Sequence, residues 1–139
     1  MVPLTHESKP LIISRMDGPE DRVQTSHESP TWAEIEAAIL RLDGESCTML
    51  ILGIGDPVPH MGIGGGEDGQ YIVYTTVDNL SFCTLINPQA MPGKRQFVAG
   101  GQLGDYENKI CVSVNDVLLA ARTYARTGEN EPTLTWRKR

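Results

Sequence analysis

The chain has 139 residues, enough for one domain with its own hydrophobic core. Its 12 basic and 18 acidic residues leave a net charge of −6, which argues against a nucleic-acid-binding surface and suits a basic partner. No run approaches the roughly 18 apolar residues of a membrane span, and Cys47, Cys83 and Cys111 show no zinc spacing.

Residues 1–30 are read as a partly irregular N-terminal extension, followed by a single domain over 31–139. Leu11, Ile12 and Ile13 predict a short strand added at an edge of the sheet. Asp17-Gly18-Pro19 predicts a turn, and the aperiodic run 20–30 a loop. His6 and His27 fall in this part and are not expected to bind metal. Residues 31–42 predict an amphipathic helix, with Thr31 and Glu34 in the T-x-x-E capping box and Trp32, Ile35, Ile39 and Leu42 on its apolar face. Asp43-Gly44 ends it. The unbroken apolar run 48–52 predicts a strand inside the sheet, and residues 53–57, with Asp56, a turn.

Residues 61–74, MGIGGGEDGQYIVY, read as strand, glycine turn, strand. Three glycines break the run, and Glu67-Asp68-Gly69 forms a polar tip. Tyr71, Val73 and Thr75 share one face of the second strand, with Ile72, Tyr74 and Thr76 on the other. Gly64, Gly66 and Gly69 also fit G-x-G-x-x-G. A dinucleotide site needs a helix after those glycines, whereas a β-branched and aromatic run follows here, behind an acidic tip that repels phosphate. His60 has no ligand or orienting partner at a suitable spacing and is read as structural.

Further on, Asp78-Asn79 predicts a turn, 80–86 and 96–99 strands, and Gly100-Gly101 a glycine turn. Asp105, Tyr106 and Glu107 are placed on an exposed loop, and 110–112 on one more strand. Ser113 is read as the cap of a second helix, with Val114, Val117, Leu118, Ala121, Tyr124 and Ala125 as its apolar stripe and Gly128 as its stop. Leu134 and Trp136 are expected to plug the core, with 137–139 in solvent. The order of elements predicts an α+β fold: two layers, one mostly antiparallel sheet and two amphipathic helices.

The sequence carries no nucleophile elbow, zinc-protease, deaminase or P-loop motif, so no catalytic residue, cofactor or metal ligand is assigned. The carboxylates concentrate in turns, which favours a binding surface. The candidate interface is Glu67, Asp68, Asp105 and Glu107, with Tyr106 as aromatic anchor.

Residues 30–136, about three quarters of the chain, resemble the deaminase-associated immunity proteins (Imm, family one) of bacterial polymorphic toxin systems. The matching stretches are PTWAEIEAAI at 30–39, GGGEDGQYIVY at 64–74, GGQLGDY at 100–106 and AARTYARTGENEPTLTW at 120–136. The resemblance implies a protein with no catalytic residues or cofactor that binds and occludes a cognate toxin, often a nucleic-acid deaminase or nuclease. It transfers no interface residue, because these vary with each toxin. Such a protein would be cytoplasmic, with reduced cysteines and no nucleic-acid or membrane partner. Two other readings stay open: a ligand-binding or enzymatic α+β domain, and a homo-oligomer formed through the N-terminal strand.

Overall fold

A computed structural model describes residues 13–18, 25–55 and 57–139. Along them run β1 (Ile13–Met16), β2 (Thr25–Glu28), α1 (Trp32–Arg41), β3 (Met49–Gly53), β4 (His60–Gly65), β5 (Tyr71–Thr76) and β6 (Phe82–Ile86). There follow β7 (Lys94–Ala99), β8 (Gln102–Glu107), α2 (Val114–Thr127) and β9 (Thr135–Lys138). Seven strands form one antiparallel sheet in the order β2-β1-β3-β4-β5-β6-β9. The β7–β8 pair is a separate antiparallel hairpin. The expected α+β class, with a mostly antiparallel sheet and two helices, is therefore the observed one.

Strand alternation sorts the sheet into two faces. The register aligns Met16, Leu50, Ile63 and Val73 in one row, with Leu52 and Met61 in the next. These side chains are buried against Ile35, Ala38 and Ile39 of α1 and Val117, Ala120, Ala121 and Tyr124 of α2. Each large side chain so buried contributes about 1.5–3 kcal/mol, which makes this layer the main source of stability.

Thr31 caps α1 as its sequence predicts. Its hydroxyl accepts from the Glu34 amide at 3.2 Å, and the Glu34 carboxylate accepts from the Thr31 amide at 2.8 Å. Trp32 packs against the core, and the Arg122 guanidinium lies 5.6 Å from its ring centroid, tying α1 to α2. Ser113 occupies the N-cap of α2, although its hydroxyl makes no capping bond, and Gly128 closes the helix at φ 75°. Trp136 packs against the same core and donates its indole N–H to the Glu131 carbonyl at 3.0 Å.

Four local expectations are corrected. Residues 25–28, read as loop, form edge strand β2, because β1 supplies a full ladder that needs no apolar alternation. Asp105, Tyr106 and Glu107 belong to strand β8 and not to a loop. Gly100 and Gly101, at φ 64° and 78°, make a two-residue turn that locks 102–107 onto 94–99. Residues 110–112 do not form a strand: a 3-10 turn at Asn108–Ile110 leads to a single bridge between Val112 and Tyr71. Lys138 and Arg139 are exposed, as expected for 137–139, but Arg137 is half-buried and the backbone is not free: Arg137 and Lys138 belong to β9, and Arg139 exchanges both backbone hydrogen bonds with Phe82. Leu11, Ile12, Pro19 and Asp56 lie outside the described residues.

Candidate functional site

The face of the sheet turned away from the helices carries the feature of interest. Gly62 stands directly opposite Tyr74, and a Cβ at position 62 would come within 2.3 Å of the tyrosine ring. Lacking that atom, Gly62 lets the Tyr74 ring lie across β4. The Tyr74 hydroxyl reaches His60 Nε2 at 3.1 Å, and His60 Nδ1 sits 2.7 Å from the Pro57 carbonyl. A carbonyl can only accept, so the tautomer that satisfies both contacts has Nδ1–H donating to Pro57 and Nε2 accepting from the Tyr74 hydroxyl. Burial pushes the Tyr74 phenol above its ordinary value, which keeps it a neutral donor. Phe82 packs edge-on to Tyr74 at 5.6 Å, completing an aromatic cluster.

The β7–β8 hairpin lies over part of this face. At one end the Gly101 amide donates to the Thr48 hydroxyl at 2.8 Å, and the Gly100 amide to the Thr48 carbonyl at 3.4 Å. Fully buried Thr48 in turn donates its hydroxyl to Asp17 at 2.5 Å. Asp17 also accepts from the Thr48 and Met49 amides at 2.7 and 3.0 Å. The Tyr106 ring folds back over Gly104 and stacks on Phe97 at 4.6 Å, and Phe97 rests against Gly65. At the far end Glu107 lies 3.9 Å from both Arg137 of β9 and Lys109, long contacts at a half-exposed carboxylate that contribute little. The Cys111 thiol donates to the Glu107 carbonyl at 3.4 Å. Burial pushes this thiol up, so it is a packing group and not a reactive thiolate.

Between β8 and the sheet runs a groove of about 440 Å³. Ile72, Tyr74 and Phe82 supply its apolar floor, Asp105, Tyr106 and Glu107 one wall, and Arg139 also lines it. The predicted residues thus divide into two groups. Asp105, Tyr106 and Glu107 line one groove. Glu67 and Asp68 sit exposed on the 3-10 turn Glu67–Gly69 at the β4–β5 tip and do not line it. That tip rests on the loop after α1: a Cβ at Gly66 would meet the Leu42 carbonyl oxygen at 2.2 Å, and one at Gly44 the Glu67 Cβ at 2.7 Å. Sequence reasoning missed Tyr74 and Phe82 as site residues. The available signal was the outward face of β5, whose apolar and aromatic residues lack a helical cover.

Among the described residues no group of three or more His, Cys, Asp or Glu could hold a metal ion, and no helix is long and apolar enough to cross a membrane. The groove thus joins an apolar, aromatic floor to a polar margin of mixed charge. The chain belongs to the Imm1 immunity family: the family model described as "Immunity protein Imm1" matches residues 24–138. It is therefore an immunity protein directed against a toxin, whose role is to bind that toxin. A search of curated proteins finds no match.

Proposed function

We propose that the chain protects the cytoplasm of a cell carrying a polymorphic toxin system by occluding a cognate toxin domain that acts on nucleic acid. The observation that carries this reading is the pair of carboxylates on the β8 side of the groove, Asp105 and Glu107, which share its lining with Arg139, in a chain of net charge −6. A deaminase or nuclease holds phosphates in a basic cleft, and carboxylates on a rigid face meet such a cleft and speed encounter with it. Glu67 and Asp68 at the β4–β5 tip extend the acidic surface. Tyr106 contributes through its stacked position on Phe97 as part of the wall. The free cysteines Cys47, Cys83 and Cys111 suit a reducing compartment.

The test is co-expression with the toxin domain encoded beside the gene, followed by binding kinetics at low and high salt. Rescue of growth is expected. Replacing Glu67, Asp68, Asp105 and Glu107 by Lys is expected to slow association at low salt while circular dichroism stays unchanged. A folded quadruple variant with wild-type rates at both salt concentrations would remove these carboxylates from the interface.

A further inference from the structure

We infer that the outer edge of β8 is a strand-docking site, at which an extended segment of the toxin adds a third strand to the β7–β8 hairpin. The inference rests on the toxin-binding reading and specifies where and how the contact is made. The two-residue Gly100-Gly101 turn and the register Ala99↔Gln102, Phe97↔Gly104 and Arg95↔Tyr106 put the backbone groups of Gln102, Gly104 and Tyr106 into the β7 ladder. The Asn108 amide donates to the Gly93 carbonyl at 2.8 Å and continues the same alternation. The amides of Leu103, Asp105 and Glu107 therefore point to the other side. They donate to no described residue, and the carbonyls of Leu103 and Asp105 accept from none.

An unpaired edge of this kind is a template for a further strand. Here the edge borders the groove, so the space beside it is open and has a floor. A strand laid along β8 would turn alternate side chains inward, onto Ile72, Tyr74 and Phe82. The intervening side chains would turn outward, beside exposed Leu103, Asp105 and Glu107. Arg139 also lines the groove and Glu107 already faces Arg137 and Lys109, so charge complementarity rests on Asp105. It selects the occupant: an extended segment alternating apolar residues with a Lys or Arg that meets this carboxylate. The edges of the large sheet are poorer templates. β2 and β9 are four residues each, and β9 carries Arg137 and Lys138, charges that discourage pairing with a basic segment.

Two measurements test this. First, the protein labelled with nitrogen-15 is titrated with the peptide acetyl-Lys-Val-Arg-Val-Lys-Val-amide, and with the same peptide N-methylated at alternate backbone nitrogens. Saturable shifts at the Leu103, Asp105 and Glu107 amides, seen only with the unmethylated peptide, are expected. No saturable shift, or equal shifts with both peptides, would overturn the inference. Second, binding to the toxin domain neutralised by the wild type is compared across variants. Asp105→Pro removes one outward N–H and leaves the β7 ladder intact, so it should weaken binding by about tenfold or more, well beyond Asp105→Ala. Gln96→Pro makes the same lesion on the outer edge of β7 and should bind as the wild type.

Equal affinities for Asp105→Pro and Asp105→Ala would overturn the strand addition while leaving the toxin reading standing. A wild type that rescues no cells would sink that reading, with the peptide titration still deciding the edge. The titration also decides if Asp105→Pro fails to fold. A concentration-dependent dimer with the same three amides protected would give the edge to a second copy of the chain and overturn the proposed occupant.

Discussion

Thr48→Val isolates the contact that fixes the β7–β8 hairpin to the sheet. The substitution keeps shape and burial and removes one hydroxyl. That hydroxyl donates to Asp17 at 2.5 Å and accepts from the Gly101 amide at 2.8 Å, at a residue with no exposed surface. A hydrogen bond to a charged acceptor contributes about 1.5–3 kcal/mol net. Asp17 keeps its bonds to the Thr48 and Met49 amides, so it is not left bare. The Gly101 amide lies in an exposed turn and can turn to water, which adds little. The expected loss is about 2 kcal/mol, a fall in midpoint of roughly 5–10 °C for a chain of this size. Thermal and urea unfolding measure it, and a double-mutant cycle with Asp17→Asn should show coupling between the two residues. Amide exchange at Gly101 should quicken before global unfolding, because the hairpin has lost one of its two anchors at that end. An unchanged midpoint with unchanged Gly101 exchange would refute the view that this contact holds the hairpin in place.

Trp136→Ala removes a half-buried indole that packs on the core and donates to the Glu131 carbonyl; a loss of about 2–4 kcal/mol is expected in urea unfolding, and less than 1 kcal/mol would show that β9 is not anchored through this residue. Tyr124 is 2 % exposed, burial pushes its phenol up to about 12, and its hydroxyl finds no hydrogen-bond partner among the described residues. Tyr124→Phe should therefore keep or raise stability by up to about 1–2 kcal/mol, and a clear drop in melting temperature would contradict this. Hydrogen bonds from the Thr123 and Thr133 hydroxyls and the Thr133 amide hold the Glu131 carboxyl at about 2, down from 4.5. A depressed carboxyl stabilises the fold above its unfolded value, and the contribution is lost as pH falls from 4.5 towards 2. Glu131→Gln should accordingly be less stable than the wild type at pH 7 and converge with it in that acid range; a difference that does not change with pH would refute the assignment.

The sequence by itself determined the elements whose causes are local. The T-x-x-E box starts α1 because Thr31 and Glu34 lie three residues apart and satisfy each other's amides. The β4–β5 hairpin follows from three glycines between two apolar runs, and the alternation of β5 correctly places Tyr71, Val73 and Thr75 on the buried face. The helical stripe found Val117, Ala121 and Tyr124 but passed over Ala120, which joins the core, and Thr123, whose buried hydroxyl donates to Glu131 beyond the helix. What only the tertiary structure decided depends on partners distant in the chain. β2 is a strand because β1 pairs with it. Asp17 looks like a turn residue, yet it acts as acceptor for a threonine 31 positions away. Asp105, Tyr106 and Glu107 look like a loop because the outer face of their hairpin is solvated and a glycine interrupts the strand. That glycine makes room for the Tyr106 ring, as Gly62 does for Tyr74. The groove exists because the Gly100-Gly101 turn is pinned at Thr48 while the hairpin's other end lies near Arg137, laying a free strand edge across an apolar sheet face. Hydrophobic pattern reports which side of an element is buried, but it carries no information about which unpaired edge lies over which surface.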